Sequence, residues 1–446
     1  MNPESVFKAY DVRGRTDTGE LDVELFERTG AALVQMLGSS EIAVGYDCRS
    51  TSRSFFEALA RGITYSGCDV VDLGQVPTDA VYYYSGAHNS PGAMITASHN
   101  PAEYNGLKLC REGAAPIGAD TGLNEVRDAV IGGPTNKASV PGSIRVFDPM
   151  PGYVDHLFGI VDAHSIGPLR VAVDGGNGMA GVAIAEVFGR LEADLTGLYL
   201  NLDGTFPNHP ADPLVPENLV DLQELMFEGR FDIGVAFDGD ADRAFFLDDS
   251  GEPLSGSTVT SLIARRLLLD NPGDVVVHNL ITSKAVPEIV RESSGTPVRT
   301  RVGHSFIKAV MAETGAVFGG EHSGHYYFRE NYRADSGMLA MLVLLSVLSE
   351  DGRPLSQLRT DVERYSSSGE INFSVQHKEQ AMADVENAFP DATIDRLDGL
   401  TVDWGGEWFN LRPSNTEPLL RLNVEANNDE RVEQIVKMVR RTLEER

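Results

Sequence analysis

Three short apolar runs stop abruptly at turn-forming residues: Ile42 to Asp47 (IAVGYD), Val171 to Gly178 (VAVDGGNG) and Val275 to Asn279 (VVVHN). Continuous apolar runs of this length, closed by Gly, Asp or Asn, predict buried strands that each feed a loop. Between them, apolar residues recur at helical spacing over Leu21 to Leu37, Pro216 to Phe227, Ser257 to Leu269 and Ser336 to Leu348. Strands alternating with helices predict α/β layers, here three similar units in series. Identity between the units is too weak to establish a repeat, so a shared topology is left open. From residue 370 the pattern changes. Alternation over Glu370 to Val375 predicts a strand and Lys378 to Phe389 a helix. Strands follow around Leu400 to Trp404, Glu407 to Arg412 and Leu419 to Val424, then a last helix from Asp429. That order predicts a small α+β domain on an antiparallel sheet.

Turn-rich stretches at 131–151, Asp248 to Pro253 and Ser366 to Gly369 divide the chain into 1–150, 151–253, 254–367 and 368–446. A chain of 446 residues is long enough for several domains, each with its own core. Charge changes the picture more than length does. The net charge is -29, and only seven of the 37 basic residues are Lys. Such a field repels phosphate backbones and anionic lipid, and no basic cluster offsets it, so nucleic-acid and membrane-surface binding are excluded. Dispersed acidity with scarce Lys suits a cytosol at high salt, where self-repulsion is screened, and predicts a halophile enzyme. A merely acidic mesophile protein is the alternative. Cys48, Cys68 and Cys110 form no paired motif, which fits a reducing compartment. The start lacks the basic and apolar regions of a signal peptide, and the longest apolar stretch, 338–348, is too short to span a bilayer. A soluble, cytoplasmic protein is expected.

Four segments could carry chemistry. Asp238-Gly239-Asp240-Ala241-Asp242-Arg243 follows the apolar strand Ile233 to Phe237 and offers three carboxylates at alternate positions, hard oxygen ligands suited to Mg²⁺. It fails as a Ca²⁺ loop, with Arg243 where Gly and Asp249 where Glu would be required. A solvated acidic turn is the other reading. Thr96-Ala97-Ser98-His99-Asn100-Pro101 sets a Ser at a strand-to-loop edge, placed as a nucleophile or simply closing an ST-turn. A Ser98–His99 hydrolase pair is disfavoured, because neighbours on extended chain point to opposite sides and no G-x-S-x-G elbow is present. Gly319-Gly320-Glu321-His322-Ser323-Gly324-His325 sets Glu321 and Ser323 at alternate positions to face one ligand, with His325 an acid/base candidate or a packing residue. Arg412-Pro413-Ser414-Asn415-Thr416 holds the parts of a dianion nest, or of a capped turn with a solvated Arg.

In this order and at these separations, the four segments resemble the α-D-phosphohexomutase superfamily, in its phosphomannomutase/phosphoglucomutase branch. The resemblance runs over essentially the whole chain. Ala9-Tyr10-Asp11-Val12-Arg13-Gly14 is similar to the family's N-terminal signature, and Asp203-Gly204-Thr205-Phe206-Pro207 with His209-Pro210 to its second-domain segment. It implies three related α/β domains and a fourth, TATA-binding-protein-like α+β domain around a central cleft. It implies that Ser98 carries a phosphoryl group, with Mg²⁺ held by that group and by Asp238, Asp240 and Asp242. A hexose 1- or 6-phosphate would then turn over through a reorienting hexose 1,6-bisphosphate, which also serves as activator. Lys108 and His325 match the proton-transfer positions, Lys108 ranking above His99, and Arg13 and Arg243 the positive charges beside the phosphoserine. Tyr10, His304, Lys308, Glu321 and Ser323 match sugar-binding positions, and Arg412, Ser414, Asn415 and Thr416 the distal phosphate anchor. Phosphoglucosamine mutases typically show Gly where Asn415 stands and G-D in place of Gly303-His304, so mannose or glucose phosphates are the expected substrates. The rivals are a phosphoglucosamine mutase, a Mg²⁺-dependent sugar-phosphate phosphatase and a non-catalytic sugar-phosphate-binding protein. Sugar phosphates are the expected partners, with the chain a monomer or weak homodimer.

Overall fold

The computed structural model describes residues 3–133, 137–413 and 419–444. Each of the three apolar runs is the innermost strand of its own sheet. Glu41–Tyr46 lies between Asp69–Gln75 and Gly92–Ile95, parallel to both, and Tyr104–Cys110 returns antiparallel beside Gly92–Ile95. Arg170–Asp174 lies likewise between Asp194–Leu198 and Ile233–Phe237, with Ala244–Leu247 antiparallel at the edge. Val275–Asn279 lies between Thr296–Thr300 and Phe318–Gly320, with Tyr326–Phe328 antiparallel beyond. All three units therefore share one topology: second, first, third and fourth strand in spatial order, with the fourth reversed. The first sheet adds Val12–Arg15 at one edge and Ile144–Val146 at the other. The repeat that sequence identity leaves open is thus a repeat of connection.

The helices lie close to their predicted spans. Val23–Leu37 begins on Asp22, whose side chain accepts from Leu25 N, and ends at Gly38 in the left-handed region. Gly337–Asp351 is capped by Ser336 and is buried on every side from Gly337 to Leu348, as an all-apolar helix must be. It is the spine of one hydrophobic cluster that runs from Val71 and Tyr84 through Tyr153, Val173 and Phe237 to Phe318 and Leu342, crossing the first three units.

The tail is a five-stranded antiparallel sheet in the order Ser366–Ser374, Leu419–Ala426, Trp408–Pro413, Leu400–Asp403, Thr393–Asp395. Helices Lys378–Asn387 and Asp429–Glu444 bury Val385, Ile435 and Val439 with Val402 and Phe409 in a separate core. The first of these strands begins at Ser366, earlier than the alternation predicts, because a register shift between Ser367 and Glu370 breaks the period. No helix among the described residues is long and apolar enough to cross a membrane.

A buried carboxylate ties the shared core together. Asp79 Oδ2 accepts from Tyr153 Oη, on the helix Met150–Ile160, and at 2.7 Å from Ser336 Oγ, while Oδ1 has no partner among the described residues. Burial pushes its carboxyl up to about 7, against the two hydrogen bonds that favour the charged form. The unfolded chain releases this proton near pH 4 and the folded chain holds it to near 7, so stability declines as pH rises between those values. Asp79→Asn is expected to flatten that decline, raising the urea midpoint at pH 8 and with it the unfolding free energy by at most a few kcal/mol, at about 1.4 kcal/mol per pKa unit. Parallel urea titrations at pH 5 and pH 8 check it.

Candidate active site

Shared topology places three loops in equivalent positions, each joining the third strand of a unit to its reversed fourth. They are 96–103, 238–243 and 321–325, and they meet. The first closes as an ST-turn, with Thr96 Oγ1 accepting from Ser98 N at 2.9 Å. Ser98 itself takes a left-handed conformation, φ +52°. The turn therefore aims Ser98 Oγ, which donates to Asp238 Oδ2 at 2.7 Å. Arg243 Nε donates to the same carboxylate oxygen at 2.8 Å, and its Nη2 lies 3.3 Å from Ser98 Oγ. Close approach of the two loops requires Gly239, since a Cβ there would sit 2.4 Å from the Ser98 carbonyl oxygen.

The left-handed turn also corrects one expectation. His99 does not point away from Ser98; its Nδ1 lies 3.4 Å from Ser98 Oγ, because the chain is kinked rather than extended at that residue. The charge of Arg243, burial and then Arg13 hold its imidazole well below the usual range, so it is neutral. Arg13 Nη1 donates to Ala97 O at 2.7 Å and also reaches Asn100, and its Nη2 pairs with Asp11.

Asp238, Asp240 and Asp242 are all buried and present oxygens within 4.8 Å of one another. Burial, opposed by Arg243, and the neighbouring charge of Asp240 push Asp238 up, and burial with Asp240 does the same to Asp242. For Asp240 burial is outweighed by Lys108 and Thr78, which hold its carboxyl below the usual range. Lys108 Nζ pairs with Asp240 Oδ2 at 2.7 Å and with Asp242, and Thr78 Oγ1 donates to Asp240 Oδ2 at 2.6 Å. Burial favours the neutral amine of Lys108, but the three carboxylates outweigh it and keep Lys108 charged. Asp240 Oδ1 and Asp242 Oδ1 remain buried with no hydrogen-bond partner among the described residues. Orphaned acceptors of this kind are costly unless a cation takes them, and hard oxygens are what Mg²⁺ prefers, so the residues present fit that ion.

The third loop joins the second through a short antiparallel bridge between Arg243 and His325. His325 Nε2 lies 3.8 Å from Asp242 Oδ1, and its Nδ1 lies 3.1 Å from Ser323 Oγ. Burial lowers its pKa. Glu321 is fixed by Tyr327 Oη at 2.8 Å, Gly303 N at 3.1 Å and Asn279 Nδ2 at 3.3 Å. Lys308 pairs with Asp335 at 2.7 Å and lies 4.2 Å from the Tyr82 ring centre. His304 is pushed down to about 3 by burial and by Lys308, and the Tyr10 ring stands edge-on to it at 5.0 Å.

Fourteen of the seventeen site positions expected from sequence are described, and those from Ser98 to His325 gather on the three meeting loops, on the strand Tyr104–Cys110 from which Lys108 reaches Asp240 and Asp242, and on the Tyr10, His304 and Lys308 face beside them. Arg412 stands on the tail sheet with Nη2 3.1 Å from Glu370 Oε2. Ser414, Asn415 and Thr416 lie outside the described residues. Sequence reasoning missed Thr78, Asp335 and Arg49, each joined to the site from a distant segment. Only Arg49 left a signal, an Asp-x-Arg directly after the first apolar run.

Fold and site together define the phosphohexose mutases, and the chain belongs to the phosphoglucomutase/phosphomannomutase family. Residues 4–133, 151–251 and 255–365 match that family's alpha/beta/alpha domains I, II and III, and 370–442 its C-terminal domain. The chain is similar to a protein named "Phosphohexose mutases" from Xanthomonas campestris pv. campestris, 40% identical over 427 residues and 95% of each chain. It is similar to a phosphomannomutase of Salmonella montevideo, 38% identical over 441 residues and 96% of each. A crystal structure of a phosphoglucomutase/phosphomannomutase family protein from Burkholderia thailandensis superposes with a TM-score of 0.90 at 30% identity, covering 100% of this chain and 98% of that one.

Proposed function

We propose that this enzyme interconverts the 1- and 6-phosphates of mannose and glucose through a phosphoserine at Ser98 and a hexose 1,6-bisphosphate that reorients in the cleft. The observation that carries the reading is Ser98 Oγ, aimed by a left-handed turn at Asp238 with Arg243 beside it. In the forward step the sugar's free hydroxyl oxygen forms a bond to phosphorus as the bond to Ser98 Oγ breaks, and the hydroxyl proton passes to a base. His325, whose Nε2 lies 3.8 Å from Asp242 Oδ1, would take that proton, and Lys108, charged and paired with Asp242 Oδ2, would supply one for the return. Arg13 and Arg243 supply fixed positive charge where the phosphoryl group moves. Asp238, Asp240 and Asp242 with the phosphoserine would hold Mg²⁺, which offsets phosphoryl charge when bound. Glu321 and Ser323 would take sugar hydroxyls in either orientation, beside Tyr10, His304 and Lys308. Arg412, with Ser414, Asn415 and Thr416, would anchor the distal phosphate.

Domains at 1–150, 151–253, 254–367 and 368–446 accord with this division of labour, each contributing one loop. Phosphate capture by the fourth domain would exclude water, which competes with the sugar for the phosphoserine. The Salmonella relative's name supports mannose phosphates among the substrates. Phosphorus NMR with Mg²⁺, a trace of glucose 1,6-bisphosphate and the separate 1-phosphates of mannose, glucose and glucosamine tests the proposal. The expected result is the 6-phosphate of mannose or glucose. Inorganic phosphate without isomer would make the enzyme a phosphatase, and turnover of glucosamine 1-phosphate alone would move it to that branch.

The acidic surface supports a cytoplasmic enzyme of a halophile. Screening shortens from about 10 Å at 0.1 M salt to about 3 Å at 1 M, so the melting midpoint is expected to rise by several degrees over that range of KCl. A scan in which added KCl leaves the midpoint unmoved or lowers it removes the halophile reading.

A further inference from the structure

The Asp203 to Pro207 segment of the second domain takes no part in the chemistry above, yet it packs against Cys48 and Arg49, directly behind the loop that carries Ser98. Between the two lies Arg49. Its side chain is completely buried, and each of its five N–H donors has an acceptor. Nε donates to Asp47 Oδ2 at 3.1 Å. Nη1 donates to the carbonyls of Pro101 at 2.6 Å and Tyr104 at 3.0 Å, and Nη2 to those of Ser98 at 2.8 Å and Asn100 at 2.6 Å. One guanidinium thus holds four carbonyls of the turn that sets Ser98 in its left-handed conformation. Asp47 is fixed in turn by Arg49 N and the Ser52 hydroxyl, and Ser52 Oγ accepts from Asn105 Nδ2.

The other domain supplies the lid. Phe206, itself at φ +49°, lies over the guanidinium with its ring centre 5.0 Å from the guanidinium carbon. Gly204 permits that approach, since a Cβ there would stand 2.3 Å from Cys48 O. Phe206 is buried, so water cannot compete for the donors from this side.

We propose that Arg49, held in place by Phe206 across the domain boundary, is the positioning residue for Ser98. The inference rests on the phosphoserine reading. Ser98 Oγ must give up and regain a dianionic group in each cycle, and four backbone clamps keep that oxygen in register while its charge changes. Arg49 makes no hydrogen bond to Oγ itself, so it acts on geometry rather than on the reacting atoms. A lysine, with three donors on one point charge, cannot clamp four carbonyls.

The test compares Arg49→Lys, Arg49→Ala and Phe206→Ala with the wild-type full chain, measuring kcat, KM, the circular dichroism spectrum and, by intact mass, the phosphoryl group on Ser98. Arg49→Lys is expected to lose about 100-fold in kcat, the scale set by small misplacements of reacting groups, with KM and the spectrum unchanged. Methylguanidinium should restore part of the activity of Arg49→Ala, and Phe206→Ala should lower kcat without moving KM. Wild-type kcat in Arg49→Lys overturns the inference, as does a loss that follows the unfolded fraction and resists methylguanidinium. If the Arg49 variants do not fold, Phe206→Ala decides alone: a lowered kcat at constant KM supports the inference and an unchanged kcat overturns it. A wild-type protein with no phosphoryl group on Ser98, together with an active Ser98→Ala variant, sinks the phosphoserine reading, and this inference with it.

Discussion

Ser98→Ala is expected to lower kcat/KM for mannose 1-phosphate by at least about 10⁴-fold, the scale seen when a covalent nucleophile is removed. The variant loses the oxygen that donates to Asp238 and faces Arg243. His99 Nδ1 lies 3.4 Å from that position, but beside two arginines it would form an unstable phosphoramidate. The fold should hold, because the turn depends on Thr96, Arg13 and Arg49 contacts to backbone atoms that alanine retains. Alanine must still adopt φ near +52°, at a cost of about 1 kcal/mol. Coupled-assay kinetics with substrate binding measured by calorimetry checks both halves: turnover lost, sugar phosphate still bound. Substantial turnover in the variant would end the phosphoserine mechanism.

Chelation by EDTA is the second large expected effect, a loss of about 10³-fold or more that Mg²⁺ restores, since a cation at a transferring phosphoryl group supplies several kcal/mol. Asp240→Asn should reproduce it in the presence of ordinary Mg²⁺. Asparagine keeps an acceptor for Thr78 Oγ1 but removes one charge from the buried trio and from the pair with Lys108. Losing a like charge beside Asp238 and Asp242 relieves repulsion, so the variant should remain folded while its Mg²⁺ affinity falls. Calorimetric titration of Mg²⁺ into each protein checks this. Full activity in EDTA would show that Arg243 and Lys108 carry the charge alone.

The first strands of all three units were legible because each is an apolar run with a turn residue at its end. The fourth-domain elements were legible because they are long enough to show a period, except Thr393–Asp395, only three residues long between Ala392 and Arg396. The common topology was not legible, since it resides in connections rather than in matching residues. For the site, Ser98, the three Asp residues, Glu321 and His325 could be named because each sits in a compact loop motif. Their convergence could not, because it depends on domain packing. Neither could Arg49, Thr78 and Asp335, whose partners are distant in sequence. His99 was misjudged for a local reason: the left-handed turn at Ser98 brings its ring back toward the hydroxyl.

The apolar cluster shared by the first three units contrasts with the self-contained core of the fourth. Where the fourth domain meets the third, the contacts among the described residues are largely polar: Lys284 with Asp403, Gly405 and Glu425, Arg299 with Asp395 and Val302 N with Asp398, beside the small apolar group Leu280, Ile281 and Trp408. Calorimetrically such a chain has two cooperative parts, one holding Ser98, Asp238 and His325 together, the other bearing Arg412. Breathing of the second part need not disturb the first. Under the mechanism proposed above, an intermediate that lets go at one end, turns and rebinds would gain from that separation, because the grip on the distal end could loosen thermally while the reacting groups stay in alignment.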